Sequence, residues 1–241
     1  VALFLVVASI GTSAISGAFG IGGGVTLLAL MAPFVPVAVL IPVHGIVQFG
    51  SNVGRSVLLV RHVSWPLIAA FAVGAVVGAI AGGLLVTDLP DDVLRIAIGA
   101  FVIWTAIGKL PTFGGGTLRA LGLGGAASTL LTMFVGATGP FVIALFRQAG
   151  LSKEPLVATN SVAMSLQHLL KIGAFAALGF AFAAWLPLAL AMVAAGFAGT
   201  VIGTRLLRRL PERVFRRGLS IILVAIGIQL IAEGILSLAG A

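Results

Sequence analysis

The chain has 241 residues, of which 60% are hydrophobic and only 8% are charged. Soluble domains carry about 25% charged residues, so this composition argues against a soluble enzyme or a nucleic-acid-binding domain. The formal net charge of +8 indicates cytoplasmic loops rich in Lys and Arg, as in membrane proteins. We predict an all-α polytopic protein that lies in the lipid bilayer, with the bacterial inner membrane as its location and no nucleic acid as partner.

Ten apolar segments follow one another along the chain, and the longer ones reach the ~20 residues that a membrane-spanning helix needs. They cover approximately 1–19, 24–35, 37–60, 64–87, 93–110, 118–134, 140–149, 154–182, 185–207 and 214–239. Cysteine is absent, which excludes disulfides and cysteine-based metal sites. We expect no metal and no cofactor.

An internal repeat divides the chain into two homologous halves. The sequence LPDDVLR at 89–95 is similar to LPERVFR at 210–216, and the glycine-rich break at 20–24 corresponds to the break at 135–139. The first repeat therefore covers 1–112, a glycine-rich linker covers 113–116, and the second repeat covers 117–241, within one integral membrane unit. Duplication of this kind is typical of secondary transporters.

Loop charges favour inverted halves over parallel ones. If 1–35 and 118–150 are re-entrant hairpins, each repeat has one hairpin and about three crossings. Most Lys and Arg residues of the loops then face the cytoplasm, as the positive-inside rule requires. If every long segment crosses instead, the halves are parallel and both faces carry positive charge. Since segments 1–19 and 118–134 are each long enough to span the membrane, both topologies stay open.

Two polar stripes lie inside the apolar segments, at the same positions of the two halves. The spacing i, i+4, i+8, i+11 places each stripe on one face of a helix. Adding 116 to each number of the first stripe gives the second, and the two read His44, Gln48, Asn52, Arg55 and Asn160, Met164, His168, Lys171. Each stripe ends in a fixed positive charge, which costs about 3 kcal/mol or more inside a bilayer and therefore marks a partner, a cavity or a substrate.

The stripe side chains have the chemistry of an anion site. Arg55 can bind an oxyanion with two parallel hydrogen bonds. Lys171 lies far from the ends of its segment, so its ammonium group cannot easily reach the membrane interface. Gln48, Asn52, Asn160 and Gln167 can donate hydrogen bonds to anion oxygens, although interhelical hydrogen bonds would explain these amides equally well. The histidines His44 and His168 titrate near neutrality, so they are candidates for proton coupling, or they simply bond a neighbour.

The glycine breaks supply further anion donors. Glycine permits a sharp turn, and the half-helix that follows begins with free N–H groups and the positive end of its dipole. The candidate donors are Gly22, Gly23 and Gly24 in the first half and Thr138 and Gly139 in the second. The alternative is that these small residues only allow tight helix crossing.

The motifs resemble those of the TauE/SafE sulfite exporter family, also called the TSUP family. Residues 16–24 (SGAFGIGGG) resemble its first-repeat signature. Residues 136–140 (GATGP), 147–154 (RQAGLSKE), 158–160 (ATN) and 168–171 (HLLK) resemble its second repeat. Ala137 and Thr138 stand where the family motif has glycines, so the two half-sites differ chemically.

The resemblance implies a transporter of sulfite, organosulfonates or other small sulfur-containing anions. We predict a secondary transporter, in the export direction, with a central anion site between the two repeats and alternating access. An anion channel with the same site is the alternative, and an intramembrane enzyme is not expected because no catalytic constellation is visible. The substrate, the coupling ion and the oligomeric state, including a homodimer, stay open.

Overall fold

The computed structural model describes residues 1–86, 91–107, 117–206 and 212–239. Ten α-helices occupy these ranges, which confirms the predicted all-α class. They are α1 (Ala2–Phe19), α2 (Gly23–Met31), α3 (Val37–Leu58), α4 (Trp65–Val86), α5 (Asp91–Ile107), α6 (Leu118–Val135), α7 (Gly139–Gln148), α8 (Lys153–Ala177), α9 (Leu186–Leu206) and α10 (Glu212–Leu238). The predicted linker 113–116 lies outside the described residues.

Four helices of the described chain have the length and apolarity to cross a membrane. They are Ala2–Phe19, Trp65–Leu85, Leu118–Val135 and Leu186–Gly203. The two striped helices α3 and α8, with 22 and 25 residues, are also long enough at 1.5 Å per residue to span a ~30 Å hydrocarbon core. The chain is a multi-pass membrane protein.

Both predicted glycine breaks are turns between a long helix and a short one. Gly20 ends α1 with φ +74°, and Gly136 ends α6 with φ +79°. These left-handed conformations favour glycine, because a Cβ atom is strained there. The short helices α2 and α7 each begin three residues later, with Pro140 in the first turn of α7, where its missing N–H is tolerated.

The helix packing has the same pattern in both halves. Helix α4 packs along α6, and α1 packs along α9. A methyl group built on Gly74 would overlap the carbonyl of Gly122, and one on Gly78 would overlap that of Ala126. In these two contacts, the later residue of α4 meets the later residue of α6, so the two helices run in the same direction. Their small residues let the two backbones approach closely.

The α1–α9 pair shows the equivalent contact. Gly199 lies against the carbonyl of Ile10, and Gly203 lies against that of Ala14, so these helices also run in the same direction. Exchanging the halves, with α1 to α5 replaced by α6 to α10, converts the α4–α6 pair into the α9–α1 pair.

Equivalent helices of the two halves run in opposite directions where they meet. Gly45 of α3 lies against Lys171 of α8, whereas Ser56 lies against Ser165. The same reversal occurs between α5 and α10, where Gly99 lies against Gly227 and Asp92 lies against Gly234. An inverted duplication packs in this way, so the directions support the inverted alternative over the parallel one.

Membrane sidedness tests the inverted relation directly. His62 and Leu178 are exposed, and they lie at corresponding turns after α3 and α8. Since the chain has no cysteine, His62→Cys and Leu178→Cys each create a single labelling site. We expect a membrane-impermeant maleimide to label the two variants from opposite faces of the membrane. Labelling of both from the same face would contradict inverted halves, and the unmodified chain serves as the unlabelled control.

Candidate functional site

The two polar stripes face each other at the centre of the molecule, where α3 and α8 pack side by side. All eight stripe side chains are buried, and none exposes more than 6% of its surface. Polar groups in such a place need partners within the protein or from a ligand, because an unsatisfied buried polar group is costly. The contacts of each stripe residue therefore indicate its role.

A cavity lies between the stripes and the two glycine breaks. Of the predicted site residues, it is lined by Gly22, Gly24, His44, Gln48, Asn52, Arg55, Gly139, Asn160 and His168. Both repeats thus contribute to one cavity. The predicted residues Gly23, Thr138, Gln167 and Lys171 are not among the residues that line it.

Arg55 places a positive charge at the cavity wall. Its side chain is 2% exposed, and one terminal nitrogen donates to Asn52 Oδ1 over 3.3 Å. Its Nε atom finds no hydrogen-bond partner in the described part of the chain, and no described carboxylate lies within ion-pair distance of it. A buried cation without a counter-charge favours an anion in the adjacent cavity.

His44 and Asn160 occupy equivalent positions of the two stripes, and each bonds a carbonyl of the first glycine break. The His44 Nε2 atom lies 2.9 Å from the Gly24 carbonyl oxygen, and Asn160 Nδ2 donates to the Gly20 carbonyl over 3.4 Å. Their other polar atoms, His44 Nδ1 and Asn160 Oδ1, have no partner among the described residues.

The two predicted proton-coupling candidates lie next to each other. The ring centroids of His44 and His168 are 6.1 Å apart, in an edge-to-face arrangement. His168 Nδ1 also has no hydrogen-bond partner in the ranges that the structure describes. The structure therefore brings both histidines to the same cavity wall.

Lys171 corresponds to Arg55 in the repeat but has a different environment. Its ammonium group donates to the Gly136 carbonyl over 2.7 Å, at the turn that ends α6. Its Cε atom lies only 2.9 Å from a Cβ built on Gly45, so α3 has a glycine where the lysine passes. In this conformation Lys171 stabilises the second break instead of lining the cavity.

A hydrogen-bond network connects α6 and the second glycine break to α8. Thr138 donates to Gln167 Oε1 over 2.8 Å, and Gln167 Nε2 donates to the hydroxyls of Ser128 and Thr129. The equivalent contact in the first half is Ser13 to Ser51, at 3.2 Å. These bonds hold α1 against α3 and α6 against α8. Gln167 therefore has the interhelical role that was the alternative to anion binding in the sequence analysis.

The sequence is similar to those of known membrane transporters. The family model described as Sulfite exporter TauE/SafE matches residues 3–230. The chain belongs to this family. The probable inner membrane transporter protein TsaS of Comamonas testosteroni is 30% identical to this TauE/SafE chain over 184 residues, which is 70% of the chain and 73% of the relative. No solved structure matches it significantly.

Family membership confirms the resemblance drawn from the glycine motifs and the second-repeat segments. This TauE/SafE protein is a membrane transporter and not an enzyme, as the sequence predicted.

Gly23, one of the predicted site glycines of the TauE/SafE chain, lies in close contact with helix α1. A Cβ atom at Gly23 would overlap the backbone carbonyl of Thr12 in α1, so this glycine lets α2 fold back against α1. Gly22 and Gly24 line the cavity. The first break therefore combines close helix packing at Gly23 with a backbone that borders the cavity at Gly22 and Gly24.

Some cavity residues of the TauE/SafE chain were not predicted as site residues. They are Ser16, Gly20, Ile21, Val25, Ala137, Pro140 and Met164. Ser16 has a detectable signal, since adding 116 gives Thr132, another small hydroxyl residue before a glycine break. Gly20, Ile21, Ala137 and Pro140 lie within the glycine-break motifs, and Met164 lies within the second stripe, so their positions carried a signal. Val25 carries none, because any membrane helix is rich in valine.

Proposed function

We propose that this protein is a secondary transporter that exports small sulfur-containing anions, such as sulfite or organosulfonates, across the bacterial inner membrane. The central anion site is the cavity between the two repeats. The observation that carries the proposal is Arg55, a buried cation at the cavity wall with a free Nε donor and no described carboxylate within ion-pair distance. The family and its relative TsaS, a probable inner membrane transporter, support membrane transport.

The donors around the cavity suit a small oxyanion. Arg55 supplies charge and hydrogen bonds, and the amides of Asn52 and Gln48 lie about one and two turns away on the same helix face. The breaks add the N-terminal ends of α2 and α7, at Gly22 and Gly139. Because helix N-termini carry free N–H groups and a positive partial charge, they strengthen the preference for an anion.

Alternating access would move one repeat's hairpin and striped helix against the other's. The chain has no ATP-binding motif, so the drive is an ion gradient or the gradient of the substrate itself. We propose His44 and His168 as the proton-coupling pair, because both line the cavity and both have a free Nδ1 atom. An imposed pH gradient should then change the rate of anion flux in proteoliposomes.

Binding and flux measurements on the purified protein test the proposed function. We expect sulfite, thiosulfate or an alkanesulfonate to raise the melting temperature in a dose-dependent way, since a ligand at 100 times its Kd stabilises the folded state by about 2.7 kcal/mol. The same anion should be carried into proteoliposomes with saturating kinetics, accelerated by anion on the opposite side. Flux that does not saturate would favour the channel alternative. Neither a shift nor flux across the panel would contradict sulfur-anion transport.

A further inference from the structure

Four glycines line the cavity in the described part of the chain, and three of them have a local structural reason. Gly20 and Gly22 have positive φ angles of 74° and 97°, where a side chain is strained. A Cβ atom built on Gly24 would lie 3.1 Å from Gln48 Oε1, so this glycine leaves room for the amide. Gly139 has neither a positive φ angle nor a close neighbour.

Gly139 is the first residue of α7, and a side chain there would enter open space. A Cβ atom built on it meets no heavy atom within 4 Å, apart from its chain neighbours and the backbone of its own helix. Alanine is a better helix former than glycine, so helix formation gives no reason for a glycine at this position. Gly139 borders the cavity, and the cavity therefore supplies the remaining reason.

The equivalent glycine of the first repeat has the opposite environment. Subtracting 116 from 139 gives Gly23, the first residue of α2, where a Cβ atom would overlap the carbonyl of Thr12. Helix packing therefore requires Gly23, which is not among the residues that line the cavity. Of the two equivalent glycines, packing explains the first and leaves the second unexplained.

We infer that Gly139 is a specificity-determining residue, whose missing side chain leaves room for the substituent of the transported anion. This inference rests on the proposed function and adds a size limit to it. Arg55 belongs to the cavity wall of the first repeat, and Gly139 belongs to the wall of the second. When the charged group of the anion bonds Arg55, its substituent extends to the wall at Gly139, and a methyl group added there occupies the same space.

Two alkanesulfonates of equal charge and different size test the inference on the purified protein. We expect Gly139→Ala to raise the Kd of propane-1-sulfonate at least about fivefold more than the Kd of methanesulfonate. A fivefold change corresponds to ~1 kcal/mol, the lower end of the cost of overpacking a filled site. Isothermal titration calorimetry in detergent measures both affinities in the wild type and in the variant.

Each other result of this titration counts against the inference. An equal loss for both sulfonates, or no loss, would overturn it and leave the proposed function intact. A wild-type protein that binds methanesulfonate but not propane-1-sulfonate would also overturn it, because the space at Gly139 then receives no substituent. Binding of neither sulfonate by the wild type would count against the inference and the proposed function together.

Two further glycine variants are matched controls. Gly173→Ala adds a methyl group at an exposed glycine of α8 that also has open space around it and does not line the cavity, so both Kd values should stay unchanged. Gly139→Ala should keep the ligand-free melting temperature of the wild type, whereas Gly23→Ala should lower it, because the backbone of α1 has to move. A similar fall in both variants would overturn the inference, since packing would then require Gly139 as well.

Discussion

Arg55→Gln is expected to weaken the binding of sulfite or an alkanesulfonate by about 10- to 150-fold, because a hydrogen bond to a charged group contributes about 1.5–3 kcal/mol. The guanidinium is buried at the cavity wall, and its Nε atom is free among the described residues. The variant keeps a polar side chain, shorter than that of arginine, and loses the charge. Titration calorimetry or a thermal-shift titration measures the change in Kd.

The controls separate loss of binding from loss of folding. Arg61→Gln makes the same change at an exposed position just after α3, and it should bind the anion like the wild type. The ligand-free melting temperature of Arg55→Gln should not fall, because removing a buried, uncompensated cation relieves a desolvation cost. Wild-type affinity in Arg55→Gln would place the anion elsewhere in the molecule.

The sequence alone predicted the helices well, because each physical signal was local. The ten apolar segments match α1 to α10 within a few residues at most ends. Glycines marked both breaks, and Pro140 marked the second one as well. The stripe periodicity also predicted which side chains point inward, since spacing on a helix fixes the face. Burial of all eight stripe residues follows from this pattern.

The roles of individual site residues could not be predicted from the sequence. Lys171 and Arg55 have the same place in the repeat, yet only Arg55 lines the cavity, because the Gly136 carbonyl is within reach of the lysine. The sequence predicts that Gln167 donates hydrogen bonds to the anion. In the structure its amide instead forms hydrogen bonds with Thr138, Ser128 and Thr129. Such partners come from other helices, and a single sequence does not reveal tertiary contacts.

The repeat suggests how the unlike environments of the two cations serve transport. Adding 116 relates Arg55 to Lys171 and Gly20 to Gly136. In the conformation described, Arg55 faces the cavity while Lys171 bonds the second break. If the halves exchange conformations during alternating access, as inverted repeats can, Lys171 leaves Gly136 and becomes the anion's partner in the opposite state.

Lys171→Met should therefore separate binding from transport. We expect the Kd for the anion in detergent to stay within about threefold of the wild type, a difference of ~0.6 kcal/mol, because Lys171 does not line the cavity in this conformation. The transport rate into proteoliposomes should fall by about 10- to 150-fold, since the opposite state loses one charged hydrogen bond to the anion. Methionine keeps the length of the buried side chain, so the packing against Gly45 is preserved.

Arg147→Met is the matched control, because it removes an exposed cation at the end of α7, away from the cavity. It should bind and transport like the wild type. A parallel loss of binding and transport in Lys171→Met would mean that the lysine contacts the anion already in the described conformation. Normal transport with a lower melting temperature would mean that the lysine only holds the Gly136 turn, and either result would contradict the exchange of roles between Arg55 and Lys171.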